Sequence, residues 1–377
     1  YLNLNTCRFL WKQVKFPLAT DASNATIQVL KEGEVQGSDV VAHSAGILDI
    51  KTNILANTDA LYLTAIDKYG HELWRWTFPV DKLNQRTEPI SLLSIRPTYT
   101  ETENDLTVKA NKRTFIFSKK DGQLKGVSVD NRKISFANGP RFIGARRADR
   151  SLDQFYNHDD EKAKEKDRTY SEFLDAAVFT KLDVKQDGGD LIVTANYKLG
   201  NLDKAQWTIS PSGDLVLDYT YNFSGVVDLM GICFDYPEDQ VISKRWLGAG
   251  PYRVWQNRIH GTQYDVWEND YNDPIPGETF TYPEFKGYFG DVSWMNIQTK
   301  EGTISLTNET PDAYIGVYQP RDGRDRLLYT LPESGISVLN VIPPVRNKVN
   351  STDLCGPSSQ PKWVNGPQTG RIVFRFM

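Results

Sequence analysis

From Asp105 to the end of the chain, apolar and polar residues alternate in short runs, and no run keeps the 3.6-residue period of an amphipathic helix. The clearest runs are residues 191–199, 204–210 and 214–223. Turn residues separate them at 187–190 and 211–213. Nearer the end, further strands are predicted at 315–318, 327–331 and 335–341, followed by a polar insertion at 347–368 and a last strand from Arg371. Because a period of two places alternate side chains on opposite faces of a strand, this pattern predicts a large antiparallel sheet domain over residues 96–377.

The first hundred residues predict a smaller all-β domain over residues 1–95. Residues 60–66 and 72–79 flank a Lys-Tyr-Gly-His turn and are typical of a hairpin. Strands at this spacing favour a small sandwich. The chain starts directly in strand-like residues, so we expect the sandwich to be truncated at its start. The polar, proline-containing residues 89–102 are interpreted as a linker, and the charged run 160–168 as a short helix or loop.

One stretch, residues 244–258, combines turn-forming glycine and proline residues, aromatic rings and arginines more densely than any other. Gly248, Gly250 and Pro251 predict a tight bend after an apolar strand end. We expect the residues after the bend to leave the sheet as a protruding segment. Further aromatic and carboxylate clusters follow at 264–271 and 282–289.

Flat rings beside hydrogen-bonding groups are what a saccharide-contacting surface needs. The bend and the cluster after it therefore supply candidate saccharide-binding residues, namely Tyr252, Arg253, Trp255, Arg258, Trp267 and Glu268. A second interpretation stays open, in which the bend is architectural, Trp246 belongs to the core and Arg258 ties loops together through a carboxylate.

Composition excludes several classes of partner. The 377-residue chain has a net charge of −4, which argues against nucleic acid and anionic membranes. No apolar run approaches the ~20 residues of a membrane span. Three distant cysteines and four scattered histidines form no metal or disulfide motif, and no cofactor motif is present. A neutral polyhydroxylated ligand, such as an oligosaccharide or polysaccharide, suits this composition.

These motifs resemble the C-terminal region of family 2 glycoside hydrolases of the β-galactosidase type. The residues that carry the likeness are Trp246-Leu247-Gly248-x-Gly250-Pro251, Arg258, the Tyr-Pro-Glu-x-x-Gly stretch at 282–287, Asp291-Val292-Ser293-Trp294, and the run 106–124. The resemblance implies an immunoglobulin-like sandwich followed by a galactose mutarotase-like supersandwich. In that family the full-length enzyme performs retaining hydrolysis with two glutamates of a separate (β/α)8 barrel. This sequence has no alternation of strands and helices long enough for a barrel, so we expect no catalytic residue here.

Two departures from the family pattern concern the sugar. The family places a tryptophan on a loop against the sugar, and the matching stretch 335–340 has Val338 at that position. Trp363 is a candidate replacement. Arg253 stands where the family has a carboxylate, which favours an acidic sugar such as a uronate, or else a rearranged structural salt bridge.

Other functions remain open at the level of sequence. Two carboxyl groups could act on a glycosidic bond, and the acidic residues near the bend are Asp265, Glu268, Asp270, Asp273, Glu278 and Glu284. His260 beside Tyr264 and Asp265 could form the acid/base pair of an epimerase or lyase. The domain could also be an autonomous carbohydrate-binding module. Expected partners are a saccharide and the barrel of the same parent chain, with homo-oligomerisation and a periplasmic, extracellular or cytoplasmic location left open.

Overall fold

The computed structural model describes residues 8–15, 28–34, 60–79, 96–147, 170–270, 287–317, 332, 334–344 and 360–377. The chain divides into two compact units. The first comprises Tyr1–Ile90 together with Gln263–Val266, and the second comprises Ser91–Thr262 and Trp267–Met377. Within the described residues, one three-residue 3-10 turn, Glu238–Gln240, is the only helix, and none has the length and apolarity that crossing a membrane requires.

All other regular structure is extended. The strands are β1 (Arg8–Lys15), β2 (Gln28–Glu34), β3 (Ala60–Ile66), β4 (Glu72–Pro79), β5 (Thr98–Glu101), β6 (Asp105–Ala110), β7 (Arg113–Ser118), β8 (Leu124–Val129), β9 (Arg132–Ile134), β10 (Ala137–Arg147), β11 (Tyr170–Glu172), β12 (Val178–Asp187), β13 (Asp190–Lys198), β14 (Leu202–Ile209), β15 (Leu215–Val227), β16 (Leu229–Asp235), β17 (Val241–Gly250), β18 (Gln263–Asp270), β19 (Trp294–Thr299), β20 (Gly302–Asn308), β21 (Tyr314–Val317), β22 (Ile336–Val341) and β23 (Lys362–Phe376).

The described strands of the first unit form a four-stranded antiparallel sheet in the order β2-β1-β3-β4. β3 and β4 pair as the predicted hairpin, whose turn is held by two backbone N–H groups that donate to the Asp67 carboxylate. Phe9, Trp11 and Ala65 are buried on one face of this sheet. An immunoglobulin-like sandwich also has a facing sheet, and no strand of one lies among the described residues of this unit.

The second unit contains two antiparallel sheets. The first has ten strands: eight follow the order β21-β22-β16-β10-β8-β7-β6-β5, while β9 pairs with β8 and β11 pairs with β10. The second has nine strands in the order β12-β13-β14-β15-β23-β20-β19-β17-β18. The C-terminal strand β23 lies near the middle of the second sheet, between β15 and β20. The predicted fold class, an all-β chain that ends in a large antiparallel sandwich, is confirmed.

Both sheets of the second unit contribute alternate side chains to one hydrophobic core. Phe136 and Phe234 stack at 4.7 Å between ring centroids, and Phe374 of the opposite sheet packs on both of them at 5.1 and 5.4 Å. A hydrogen bond also joins the sheets, since the Tyr221 hydroxyl donates to Asn340 Oδ1 at 2.6 Å. Burial of aromatic area across this boundary is the main stabilising contribution to the sandwich.

Several hairpin turns follow local sequence signals. Asp130 and Asn131 both have positive φ, at 48° and 64°, as the two-residue turn between β8 and β9 requires. Gly188 and Gly213 also have positive φ in the predicted turns 187–190 and 211–213.

Two boundaries differ from prediction. Thr98–Glu101, expected to be linker, pairs with β6, and Lys362–Gln368, expected to belong to a polar insertion, forms the first half of β23. In both places the pairing partner, rather than local propensity, decides the conformation. The predicted strand at 327–331 and the charged run 160–168 lie outside the described residues.

Candidate functional site

The predicted bend follows β17, whose last residue is Gly250. A Cβ atom at Gly248 would lie 3.0 Å from the Gly290 carbonyl oxygen and the Val292 Cα. A Cβ atom at Gly250 would lie 2.3 Å from Cδ1 of Trp267. Both glycines therefore serve close approach, one to a backbone segment and one to an indole ring.

Trp246 belongs to the core, as the architectural interpretation requires. Its side chain is fully buried, its Nε1 donates to the Ala249 carbonyl at 2.9 Å, and its ring meets Phe289 edge-on at 4.7 Å. Trp267 is half-buried and donates from Nε1 to the Gly248 carbonyl at 3.2 Å. Both indoles thus stabilise the bend by donating hydrogen bonds to its backbone carbonyl groups.

The prediction that the residues after the bend protrude is wrong for Arg253 and Trp255. Each side chain is only 6% exposed. Val254 makes two backbone hydrogen bonds of 2.6 Å with Tyr288, and Gln256 donates from its backbone N–H to the Pro343 carbonyl. These bonds hold the segment against the body of the unit, where the three consecutive residues Arg253, Val254 and Trp255 are all buried.

Trp255 lies in a second, smaller hydrophobic cluster with Cys233, Tyr288 and Leu339. Its ring meets Tyr288 edge-on at 5.6 Å, and a Cβ at Gly287 would come 2.8 Å from the indole. Burial raises the pKa of the Cys233 thiol to about 11, despite the Arg141 guanidinium, whose Nη2 lies 3.7 Å from the sulfur. The segment therefore covers β16 and β22 and does not present this ring to a ligand.

Arg253 does not present its guanidinium to solvent for an acidic sugar. Its guanidinium carbon lies 5.6 Å from the centroid of Phe289, and the buried Lys244 ammonium lies 6.0 Å from the same centroid. Two cations therefore share one aromatic ring. The burial of Arg253 gives no support to the acidic-sugar interpretation, which stays a prediction.

Three of the candidate saccharide-binding residues at the bend and in the cluster after it are exposed to solvent. Tyr252 is 37% exposed and donates from its hydroxyl to the Gly261 carbonyl at 3.1 Å. Arg258 and Glu268 are exposed, and the Arg258 backbone closes a turn with Trp255. Binding of a saccharide by these side chains stays a prediction.

The remaining predicted residue, Trp363, is 71% exposed at the start of β23. The start of this strand adjoins the bend segment, because Gln256 Nε2 donates to the Gln360 carbonyl at 3.0 Å. Val338, which occupies the position of the family's loop tryptophan, lies in β22 and is 1% exposed in the core. The 335–340 stretch is thus a buried strand with no exposed ring.

The Asp265 carboxylate is already engaged within the first unit, to which Gln263–Val266 belongs. It accepts hydrogen bonds of 2.7 Å from the Tyr62 hydroxyl and from Arg75, and it is 7% exposed. Burial, then the hydrogen bond to this carboxylate, raises the pKa of Tyr62. His260 is exposed. Nothing in the described residues brings the imidazole to Asp265, so the geometry gives no support to an acid/base pair.

Carboxyl pairs elsewhere occur at turns. Partial desolvation of the carboxyl group raises the pKa of Asp291, and the Asp312 charge raises it further. Burial and the Asp187 charge act in the same way on Asp190. Asp187, Asp291 and Asp312 are exposed and Asp190 is partly exposed, so neither pair flanks an enclosed cleft. The candidates Asp273, Glu278 and Glu284, and the 282–286 part of the third aromatic cluster, lie outside the described residues.

Sequence reasoning missed a polar groove of about 660 Å³ beside Asn138, at the start of β10. Asp235 accepts hydrogen bonds of 2.7 Å from Asn138 and from Arg141. Glu301 accepts from the Ser135 hydroxyl and from the Tyr236 hydroxyl. The Asn-Gly-Pro sequence at 138–140, where the pairing of β10 with β16 is irregular, was the available signal, but only the fold brings residues this distant together. No group of three or more metal-ligating side chains occurs among the described residues.

Known proteins offer two kinds of similarity. The family model described as the β-galactosidase small chain matches residues 109–345. A galactose 1-epimerase from Lactobacillus acidophilus NCFM aligns with a TM-score of 0.42 and 10% identity, covering 75% of this chain and 99% of that one. A GalM/aldose epimerase homologue from C. elegans aligns with a TM-score of 0.34 and 8% identity, covering 74% and 99%. No curated protein sequence matches the chain.

The structural likenesses are too weak to support any conclusion about function, and the fold class rests on the strand pairing of the chain itself. The family match is different, because it spans more than half of the chain and includes strands of both large sheets, from β7 to β22. It also contains the bend at Gly248–Pro251 and the two tryptophans, Trp246 and Trp267, that donate hydrogen bonds to that bend. The chain therefore belongs to the β-galactosidase small chain family.

Proposed function

We propose that this chain is the C-terminal accessory portion of a family 2 glycoside hydrolase of the β-galactosidase type, and that it contributes saccharide contacts and assembly surfaces but no catalytic group. The observation that carries the proposal is the family match over residues 109–345. Retaining hydrolysis of a β-glycoside is assigned to a (β/α)8 barrel, supplied by a separate polypeptide or by another part of the same one.

The geometry of the carboxyl groups supports the absence of a catalytic role. Retaining hydrolysis needs two carboxyl groups about 5 Å apart on either side of the bond. Among the described residues, Asp265 is bound by Tyr62 and Arg75, and Asp291 and Asp312 lie at exposed turns. None of these arrangements encloses a substrate. The extended, sheet-built unit is instead suited to buttress a neighbouring domain.

Hydrolysis of p-nitrophenyl β-D-galactoside by the purified 377-residue chain tests the proposal. We expect release of nitrophenol no faster than in buffer, across pH 4 to 9. A 2-fluoro glycoside that traps retaining nucleophiles should label no residue of the chain. Turnover that survives repurification, or a labelled carboxylate, would refute the assignment of catalysis to a separate barrel.

A further inference from the structure

The outward face of the β15/β23 pair carries a single exposed indole within a neutral, hydrogen-bonding surface. Outward residues of β23 alternate from Trp363 through Asn365 and Pro367 to Thr369. Their partners across the ladder are Val226, Ser224, Asn222 and Thr220. In an antiparallel pair, directly opposed residues share one face of the sheet, so these eight side chains form one strip.

The orientation of the strip is fixed by what lies on the other face. Val364, between Trp363 and Asn365, packs against the main core. A Cβ at Gly370 would lie 2.2 Å from the Tyr219 hydroxyl, which is buried inside. Between Trp363 and Arg371, even-numbered residues of β23 therefore point inward and odd-numbered residues point to solvent. At about 3.4 Å per residue, the strip from Trp363 to Thr369 is about 20 Å long.

The chemistry of the strip is specific. None of its eight side chains is ionisable. Ser224 Oγ donates to Asn365 Oδ1 at 2.8 Å, which orients the amide and leaves its two N–H donors without a partner among the described residues. Beyond its end, the Arg371 guanidinium is neutralised by Asp218 and Glu309, both within 3 Å. The strip therefore offers one flat apolar ring, amides and hydroxyls. The charged side chain directly beside it is Lys204 of β14, which is exposed opposite Thr220, at the end away from Trp363.

These properties decide between ligand classes. A protein-docking patch is expected to be a contiguous apolar surface, whereas Val226 is the only aliphatic neighbour of Trp363 across the ladder. A nucleic acid or an acidic polysaccharide would require a row of cations along the strip, whereas Lys204 is a single cation opposite Thr220 at one end. A neutral saccharide matches both parts, because its C–H face stacks on the indole while its hydroxyls pair with the amide and hydroxyl groups that follow.

From this we infer that the Trp363–Thr369 strip of the β15/β23 pair binds a neutral oligosaccharide lengthwise, with one sugar ring stacked on Trp363. This inference rests on the proposed function for its saccharide class. It adds a binding surface on the open face of the nine-stranded sheet, built from residues of which only Trp363 is marked by sequence.

Isothermal titration of the full chain tests the strip directly. The probes are β-1,4-galactotetraose and cellotetraose as neutral oligosaccharides and tetragalacturonate as the charged comparison. We expect at least one neutral probe to bind, with tetragalacturonate weaker. Trp363→Ala should weaken binding by about tenfold or more, while Trp363→Phe retains part of the affinity. Trp74→Ala, which removes another exposed tryptophan in the first unit, should leave the dissociation constant unchanged.

Several outcomes of these titrations would contradict the inference. Absence of binding to both neutral probes at millimolar concentration, unchanged affinity in Trp363→Ala with unchanged far-UV circular dichroism, or tighter binding of tetragalacturonate would overturn the inference. Capture of a second protein through the strip would do so as well. None of these outcomes depends on hydrolysis, so a failure here leaves the accessory role intact, and turnover by the chain alone would refute that role without affecting the titration.

Discussion

Adding a single methyl group at Gly250 tests how the bend is built. The Cβ of Gly250→Ala would lie 2.3, 2.5 and 2.6 Å from Cδ1, Cγ and Nε1 of Trp267. The φ angle of Gly250 lies outside the left-handed region, so the backbone itself accepts alanine. The whole effect of the substitution should therefore come from the indole.

The expected magnitude has two parts. Ordinary carbon contacts begin near ~3.5 Å, so the ring must retreat by roughly 1 Å. Overpacking of this kind costs about 1–3 kcal/mol. A displaced ring also weakens the hydrogen bond from Trp267 Nε1 to the Gly248 carbonyl, worth about 1 kcal/mol. We expect Gly250→Ala to lower the free energy of unfolding of the second unit by about 2–4 kcal/mol.

Urea unfolding followed by far-UV circular dichroism measures this change, and the chain offers a matched control. Gly126, in β8, has only one atom, Ile116 Cδ1, at 4.0 Å from its would-be Cβ, so Gly126→Ala should stay within about 0.5 kcal/mol of the parent. In a Trp267→Ala background, Gly250→Ala should cost almost nothing. If the full cost persists without the indole, the steric reasoning is refuted.

Three further predictions concern the interior and one turn. Trp255→Ala should destabilise the second unit by about 3–5 kcal/mol in urea unfolding, because it empties the centre of the smaller cluster. Tyr221→Phe should cost about 1–2 kcal/mol by deleting the hydrogen bond between the sheets. Tyr197→Phe, which removes a buried hydroxyl that has no partner among the described residues, should be neutral or stabilising. Asp291→Asn should stabilise the chain at pH 7, because burial and Asp312 raise the pKa of Asp291 and penalise its charged form. The advantage should fade as the pH falls through that raised pKa towards about 4, where the parent takes up the proton.

Each of these outcomes has a clear contrary. A Trp255→Ala variant with parental stability would return this ring to the list of surface candidates. Equal effects of Tyr221→Phe and Tyr197→Phe would mean that the bond between the sheets adds nothing beyond the hydroxyl itself. A gain from Asp291→Asn that is unchanged between pH 7 and pH 3.5 would exclude charge as its source.

Sequence predicted best where structure is decided locally. The predicted turns at 187–190 and 211–213 contain Gly188 and Gly213, which adopt the positive φ that glycine tolerates. The alternation of β13, β14 and β15 follows from a period of two. The position of the bend follows from its glycines and proline, although the reason for two glycines, close contact with Gly290 and Trp267, is tertiary.

Sequence failed where a distant partner decides the outcome. The sequence predicted that Arg253 and Trp255 are exposed, because they follow a bend. In the structure Arg253 packs on Phe289 and Trp255 packs on Tyr288, and both are buried. Asp265 was a candidate catalytic acid by sequence, but its carboxylate accepts a hydrogen bond from Tyr62, which lies 203 positions away in the chain. Such pairings depend on which strands meet, and no local pattern encodes that.

The most direct measurement of the accessory role is complementation. A barrel-bearing polypeptide that lacks this region is assayed on p-nitrophenyl β-D-galactoside alone, then with increasing amounts of this chain. We expect neither polypeptide to be active by itself, and activity to rise and saturate at a fixed ratio of the two. Turnover by this chain alone, or a barrel whose activity is complete without it, would contradict the proposal.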